Sequence, residues 1–299
     1  MSEGIILKGV GGFYEVLESG GDAIYTCKVR GIHRKEGGIT PLAGDRVTFE
    51  IIDETKKEGR IDRILERRNY FIRPPVANID QLAIVVSVAS PSPDFMLVDK
   101  LLITCISKNI KPLIVINKAD LDTNNGIEKI KKAYKNTGFP VLVLSKFFPD
   151  WYEDLHKHLI GNATAFAGQS GVGKSTILNA VLKSWVMETG EVSERIQRGK
   201  HTTRHVQLFR LNEGGYIMDT PGFSSFSVLE VGYQDLQNYY PEFNRKTEEC
   251  RFKGCSHTGE PDCAVRELYN EGEIDQGRYY RYIELYKELK KIYDNRYRR

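Results

Sequence analysis

The sequence predicts an α/β protein in which a small β-barrel precedes the α/β region and a helical, metal-binding region follows it. Residues 71–228 alternate short apolar strands with helical segments, a pattern typical of a parallel sheet with helices on both faces. Residues 1–70 contain strand-like segments separated by glycine-rich turns, and residues 229–299 hold a Cys/His cluster and a long final helix. The chain of 299 residues is long enough for these three domains.

The composition is that of an ordinary globular protein, with 40% hydrophobic and 28% charged residues. The net charge of +3 is mild, so binding to nucleic acid would depend on local basic patches. The N-terminus lacks a basic stretch followed by an apolar run, and the apolar segment LAIVVSVA is too short to span a bilayer. We therefore expect a cytoplasmic monomer with no membrane partner. Five cysteines in such a chain argue against a disulfide framework.

The first domain is expected to be an OB-like β-barrel of five strands, since its length and turn spacing fit that fold. A small β domain with no role in nucleic-acid binding stays an alternative, because a fold does not fix a function. A basic, stiff linker is expected next, in the segment RRNYFIRPP. The predicted strands of the barrel are GIILKG, GFYEVLE, AIYTCKVRG, DRVTFEII and GRIDRILER.

The α/β region contains continuous apolar runs, which are typical of strands buried on both faces. Helical apolar spacing and glycine stops separate these runs. Two further strands, VQLFRL and GYIMDTPG, are joined by a tight NEGG turn. The predicted buried strands are QLAIVVSV, KPLIVINKAD, PVLVLSK and TAFAG, and the predicted helices are FMLVDKLLITCISKN, GIEKIKKAYKNTG, WYEDLHKHLIG and GKSTILNAVL.

A phosphate-binding loop is predicted between the strand TAFAG and the helix GKSTILNAVL, where the chain matches GxxxxGK[ST]. Glycines let successive N–H groups turn toward one anion, and the following helix adds its positive end. Lys174 can reach the outer phosphates, and the Ser175 hydroxyl can ligate Mg²⁺. The alternative is a glycine-rich turn with a surface lysine. The predicted nucleotide-binding residues are Gly168, Gln169, Ser170, Gly171, Val172, Gly173, Lys174, Ser175 and Thr176.

Guanine selection is predicted at NKAD, Asn117 to Asp120, where a buried strand ends. The Asp120 carboxylate can accept hydrogen bonds from N1–H and N2–H₂ of guanine, whereas adenine has no donor at N1. The stem of Lys118 can lie along the base, Asn117 can tie the loops together, and Ala119 completes the motif. LSK follows the next strand, and its Ser145 and Lys146 are expected beside the guanine oxygen. A P-loop ATPase is the alternative that NKAD disfavours.

Two segments downstream have the pattern of nucleotide switches. Asp219 and Gly222 belong to DTPG, where the carboxylate can hold Mg²⁺ through a water and the Gly222 N–H can meet the γ-phosphate. In QRGKHTTRH, either Thr203 or Thr202 can ligate Mg²⁺ when the γ-phosphate is present. A solvated basic connection is the alternative for this second segment.

The residue after the DTPG glycine is Phe223, which cannot orient an attacking water as a glutamine would. We therefore expect slow intrinsic hydrolysis that needs another group. His201 is the candidate for orienting the water, and His205 is second; an idle, exposed histidine is the alternative.

A metal site is predicted at Cys250, Cys255, His257 and Cys263, which have the spacing C-x₄-C-x-H-x₅-C. Three thiolates and one imidazole suit a tetrahedral Zn²⁺ site, and we expect a closed, structural site because no fifth nearby donor is obvious. Buried thiols beside an exposed histidine are the alternative.

The last segment is predicted to be a helix. Tyr279, Tyr282, Tyr286, Leu289 and Tyr293 fall on one face, which we interpret as a packing face. The tail contains Arg296, Arg298 and Arg299, for which contact with nucleic-acid phosphates and simple solvation both stay open.

The chain resembles the circularly permuted GTPases of the small-ribosomal-subunit biogenesis (RsgA) family over nearly its whole length. The resemblance rests on the order NKAD, LSK, GQSGVGKST, GKHTTRH and DTPGF, followed by the Cys/His cluster. It implies an N-terminal OB domain, a circularly permuted P-loop GTPase domain and a C-terminal zinc-binding domain. Phe223 conforms to the family pattern, which also lacks the glutamine.

The resemblance also implies a function. Members of that family act late in maturation of the 30S subunit, contact it and its rRNA, and hydrolyse GTP when the ribosome stimulates them. A GTP-gated binding protein, for which hydrolysis is only a slow timer, is the alternative of another class.

Overall fold

The computed structural model describes residues 1–29, 40–148, 151, 153–185, 206–219 and 230–297. The chain forms two compact units. The first contains Met1–Leu82, Tyr152–Phe166 and Lys174–Phe223, and the second contains Ala83–Trp151, Ala167–Gly173 and Ser224–Arg299. Among the described residues, no helix combines the length and apolar character that crossing a membrane requires.

The N-terminal strands close into a five-stranded barrel, as the sequence predicts. Strand β1 pairs antiparallel with β2 and with β4, β2 with β3, and β4 with β5, while β3 and β5 pair in parallel and complete the ring. Alternate residues point inward and form one apolar core around Phe49. The strands are β1 Ser2–Val10, β2 Phe13–Glu18, β3 Ile24–Val29, β4 Arg46–Asp53 and β5 Glu58–Ile64.

The segment predicted as a stiff linker forms the first strand and the turn of a small hairpin, β6 Tyr70–Phe71 and β7 Val76–Ala77, whose second strand follows the segment directly. Arg67 is anchored beside it, since its guanidinium donates to both oxygens of the buried Asp45 at 2.7 Å. Arg67 therefore connects the barrel to the start of the hairpin segment.

The α/β elements follow in the predicted order. They are β8 Gln81–Ser87, α1 Phe95–Ser107, β9 Lys111–Asn117, α2 Gly126–Ala133, β10 Val141–Val143, α3 Glu153–Leu159, β11 Ala163–Ala167, α4 Lys174–Trp185, β12 Gln207–Arg210 and β13 Tyr216–Asp219.

In the second unit, β9 lies between β8 and β10, and β9 and β10 are parallel. All seven residues of β8 are buried, which explains its unbroken apolar run. Helix α1 begins after Asp94, whose carboxylate accepts from the Leu97 N–H at 2.9 Å.

In the first unit, β11 and β13 are parallel, while β12 and β13 form an antiparallel hairpin. The predicted NEGG turn joins these two strands, and its Gly214 and Gly215 have φ values of 91° and 98°, which favour glycine. Strand β12 also pairs with β1 of the barrel, at Lys8 and Gln207.

The C-terminal part contains helices α5 Ala264–Asn270 and α6 Gln276–Tyr297. Tyr279, Tyr282 and Leu289 are buried in an apolar cluster that also includes Ile103 of α1, so the packing face predicted for the tyrosines is confirmed there. Tyr293 remains 40% exposed and contacts the ring of Tyr233. The side chains of Arg296, Arg298 and Arg299 lie outside the described part, and the division into 1–70, 71–228 and 229–299 stays a prediction.

Candidate nucleotide site and metal centre

The loop between β11 and α4 has the backbone that the glycine pattern predicts. Gly168, Gly171 and Gly173 have φ values of 129°, 83° and 101°, all in the region that favours glycine. A Cβ on Gly168 would overlap the Val85 carbonyl, and one on Gly173 would overlap the amide of Asn117. The loop therefore passes too close to its neighbours to carry side chains at these two positions.

The first two residues of NKAD hold this loop. The buried Asn117 Nδ2 donates to the Val172 carbonyl at 2.8 Å, so this side chain ties the NKAD segment to the loop. Lys118, itself at a φ of 60°, donates from Nζ to the Gly171 carbonyl at 2.8 Å and to the Ser90 carbonyl at 2.6 Å. Ser90 was not predicted from the sequence, because any residue type supplies a carbonyl.

Asp120 lies at the surface, and the hydroxyl of the fully buried Ser145 donates to its Oδ1. Ala119 N–H donates to the Leu144 carbonyl at 3.2 Å, which places the two motifs side by side. Lys146 is exposed, with its ammonium 4.8 Å from the centre of the Phe147 ring. The Ser145 side chain thus orients a carboxylate whose remaining acceptor sites face solvent.

The residues predicted to contact the phosphates begin helix α4. Ser175 and Thr176 are exposed, as is Ser170 in the loop, and Lys174 is half-buried. Burial lowers the pKa of Lys174, and an adjacent anion would offset that effect by favouring the charged ammonium. Asp219 ends β13 and is buried.

Some predicted residues fall outside the described part of the chain. Nothing structural is assigned to His201, Thr202, Thr203, His205, Gly222 or Phe223, so the predictions for them stand untested.

The four predicted metal ligands converge in the C-terminal part. Their ligand atoms all lie within 4.8 Å of one another. Nδ1 of the buried His257 is 3.6 Å from Cys250 Sγ and 3.3 Å from Cys263 Sγ. A tetrahedral Zn²⁺ sets such ligand atoms roughly 3.5–3.8 Å apart, so the donors fit a metal ion. The fourth ligand is the buried Cys255.

The electrostatics of this cluster also suit a cation. Burial lowers the pKa of His257, which favours the neutral imidazole that ligates metals. Burial raises the pKa of Cys255 to about 12, and a bound cation would favour its thiolate instead. The soft thiolate donors favour zinc over magnesium or calcium.

Hydrogen bonds from residues that are not ligands hold the segment 256–260, here called the metal loop. Tyr279 and Tyr282 of α6 donate from their hydroxyls to the carbonyls of His257 and Ser256, at 2.7 and 2.6 Å. Glu260 accepts from the N–H groups of residues 256, 258 and 259 and from the Ser256 hydroxyl. Burial alone would raise the pKa of Glu260, but these hydrogen bonds lower it to about 2.

Comparison with known proteins identifies the family. Residues 64–229 match the RsgA GTPase family and residues 3–61 match the RsgA N-terminal domain. A small ribosomal subunit biogenesis GTPase RsgA from Ruminiclostridium cellulolyticum is 53% identical, over 98% of this chain and 95% of that protein. The chain belongs to the RsgA GTPase family. The protein of the same name from Bacillus subtilis is 42% identical, over 97% of this chain and 98% of its own length.

Solved structures agree with the fold. YloQ, a circularly permuted GTPase, is 38% identical with a TM-score of 0.81, and the match covers 97% of this chain and 96% of YloQ. YjeQ from Thermotoga maritima is 32% identical with a TM-score of 0.82, over 96% and 98% of the two chains. The predicted circularly permuted GTPase fold, with its barrel and Cys/His cluster, is confirmed, and the chain is a GTPase of the RsgA family.

Proposed function

We propose that this protein hydrolyses GTP to GDP and phosphate as a factor in late maturation of the 30S ribosomal subunit, and that the ribosome stimulates the hydrolysis. The hydrogen bonds from Asn117 and Lys118 to the phosphate loop carry the proposal, because they join guanine recognition and phosphate binding in one site. The name shared by the relatives supports the ribosomal role. The proposed partners are GTP, GDP, the 30S subunit and its rRNA, with the protein acting as a cytoplasmic monomer.

The guanine base is proposed to bind at residues 117–120 and 145–146. Asp120, oriented by Ser145, accepts the two guanine donors, and adenine is rejected because it would leave a carboxylate desolvated without them. The ammonium of Lys118 is already held by two carbonyls, so its stem is fixed for the base to lie against.

The phosphates are proposed to lie in loop 168–173, where N–H groups and the start of α4 meet the negative charge. Lys174 is proposed to neutralise the charge that develops on the outer phosphates. When bound, Mg²⁺ would neutralise negative charge on the phosphates. Its proposed ligands are Ser175, Thr203 or Thr202, and Asp219 through a water.

The attacking water needs a group to orient it, since Phe223 offers no polar atom. His201 is proposed for this role, with a ribosomal group as the alternative. If His201 orients the water, the chain supplies this group itself. If a ribosomal group orients it, the chain lacks this group until it binds the ribosome.

The metal centre is proposed to hold one structural zinc ion through Cys250, Cys255, His257 and Cys263. Its binding energy would then fold the surrounding loop.

The proposed function is tested by the rate of GTP hydrolysis with 30S subunits, with 70S ribosomes and with neither. We expect slow hydrolysis alone and acceleration by 30S subunits of at least about tenfold, which is equivalent to lowering the activation free energy by about 1.4 kcal/mol. Lys174→Ala is the control and should lose activity under all conditions. Equal rates with and without ribosomal particles would favour the GTP-gated binder that uses hydrolysis as a slow timer.

His201→Ala is expected to lower the ribosome-stimulated kcat by about 10²-fold, within the usual range for positioned acid–base groups. The measurement is single-turnover hydrolysis on 30S subunits, with His205→Ala as the matched variant. An unchanged kcat in both variants would assign the water-orienting group to the ribosome.

Cys255→Ser is expected to release the metal, because one of four ligands is lost from a closed site. Zinc content measured by atomic emission should fall from one per chain to near zero. Cys105→Ala is the matched control, since Cys105 is buried in α1 and is not a ligand. Full zinc content in Cys255→Ser would overturn the assignment.

A further inference from the structure

A buried cluster of charges lies in the second unit, apart from the nucleotide and metal ligands. Asp99 of α1 is fully buried, and its Oδ1 accepts from Arg278 Nη1 at 2.7 Å and from the Tyr134 hydroxyl at 2.9 Å. Its Oδ2 accepts from Arg281 Nε at 2.6 Å. One carboxylate of α1 therefore holds two successive turns of α6.

The charges of this cluster balance. Arg278, also buried, donates from Nε to Glu242, and its guanidinium lies 4.4 Å from the centre of the Tyr240 ring. Burial alone would lower the pKa of Arg278, but Glu242 and Asp99 hold it above its ordinary value. Two carboxylates thus face two guanidiniums, and an ionic cluster of this kind tolerates few other arrangements.

Helix α1 leads back to the guanine motif. Residues 88–94 connect β8 to α1, and in this connection the Ser90 carbonyl accepts from Lys118 Nζ. Pro91 Cδ lies 3.5 Å from the position that a Cβ on Gly171 would take. The connection that leads into α1 therefore contacts the NKAD motif and lies beside the phosphate loop.

Helix α6 leads to the metal loop. Tyr279 follows Arg278 and donates to the His257 carbonyl, and Tyr282 follows Arg281 and donates to the Ser256 carbonyl. Each arginine that pairs with Asp99 of α1 is thus adjacent in sequence to a tyrosine that donates a hydrogen bond to the metal loop.

We propose that α6 is a positioning element which couples the metal centre to the guanine-nucleotide site through Asp99, so that each ligand stabilises the binding of the other. The inference rests on the proposed binding of GDP and zinc at these two sites. Coupling between binding sites is reciprocal, and its usual size is 5- to 150-fold in affinity.

The test measures the rate at which the zinc-loaded, full-length protein loses zinc to a colorimetric chelator, with and without saturating GDP. We expect GDP to slow zinc loss at least about fivefold in the unmodified protein. Arg281→Gln removes the ion pair between Arg281 and Asp99 and leaves that of Arg278. It should bring the ratio of zinc-loss rates without and with GDP close to one. Arg281→Lys should recover part of the ratio, because a lysine can still donate to the carboxylate.

Lys100→Gln is the matched control. Lys100 neighbours Asp99 on α1 and pairs with the exposed Glu288 of α6 at 3.3 Å, so the variant removes a contact between the same two helices at the surface. Its ratio should equal that of the unmodified protein. Reciprocity further requires that removal of zinc weaken GDP binding by the factor by which GDP raises the affinity for zinc.

The outcomes are distinct. A purely structural role for Arg281 would raise both rates equally and preserve the ratio, which would overturn the proposal. A ratio of one in the unmodified protein, with normal GDP binding, would overturn the coupling and leave the proposed function intact. Absence of GDP binding would overturn both.

Discussion

Asp120→Asn is expected to lower affinity for GTP by about 30- to 1,000-fold, equivalent to roughly 2–4 kcal/mol, and to raise affinity for xanthosine triphosphate. The carboxylate is proposed to accept from N1–H and N2–H₂ of guanine, whereas an amide replaces one acceptor by a donor. Xanthine carries a carbonyl where guanine carries its amino group, so it matches the amide. The measurement is competition of each nucleotide against a fluorescent GDP analogue.

Asp122→Asn is the matched control, since it makes the same chemical change two residues away. The Asp122 carboxylate accepts from the N–H groups of Gly126 and Ile127 at the start of α2, at 2.7 and 3.0 Å. This variant should lose about 1 kcal/mol of stability and keep its preference for guanine. Equal selectivity in the two variants would show that Asp120 does not read the base.

The strands and the phosphate loop could be predicted because their signals are local. Strand β11 is buried throughout, and its apolar run ends at Gly168. The loop glycines are required by close approach to Val85 and Asn117, and glycine is the residue type that permits it. The rearranged order of the motifs did not hide the site, because parallel strands depend on their neighbours in the sheet and not on their order of synthesis.

Contacts between distant segments could not be predicted in the same way. Arg278 donates a hydrogen bond to Asp99, which lies 179 positions earlier in the sequence. The residues around Arg278 are those of any basic helix and do not indicate this contact. The Tyr279 and Tyr282 hydroxyls bond backbone carbonyls, which carry no sequence signal. The tyrosine spacing therefore predicted a packing face but not the hydrogen bonds made from it.

The hairpin β6–β7 shows the same limit at shorter range. Its prolines and arginines are typical of a stiff linker, and two-residue strands are too short to give a periodic pattern. Reciprocal bonds between Asn69 and Ile79 close the hairpin base, at 2.8 and 2.9 Å. Two hydrogen bonds between the Asn69 side chain and the Ile79 backbone thus close a hairpin where composition alone predicts an irregular connection.

Arg278→Leu is expected to destabilise the protein by about 3–5 kcal/mol, the usual cost of leaving buried charges without their partner. Asp99 and Glu242 would both lose a guanidinium, and each is almost inaccessible to water. Leucine fills part of the volume but donates no hydrogen bond. The measurement is urea unfolding of the zinc-loaded protein, followed by far-ultraviolet circular dichroism.

Arg245→Leu makes the same substitution at the surface of the C-terminal part. Arg245 pairs with Glu273 at 3.2 Å, and both side chains are about half exposed, so its loss should cost at most about 1 kcal/mol. If both variants unfold at the same urea concentration as the unmodified protein, the buried cluster does not stabilise the fold. A large loss for Arg278→Leu alone would show that the buried cluster of Arg278, Asp99 and Glu242 stabilises the fold.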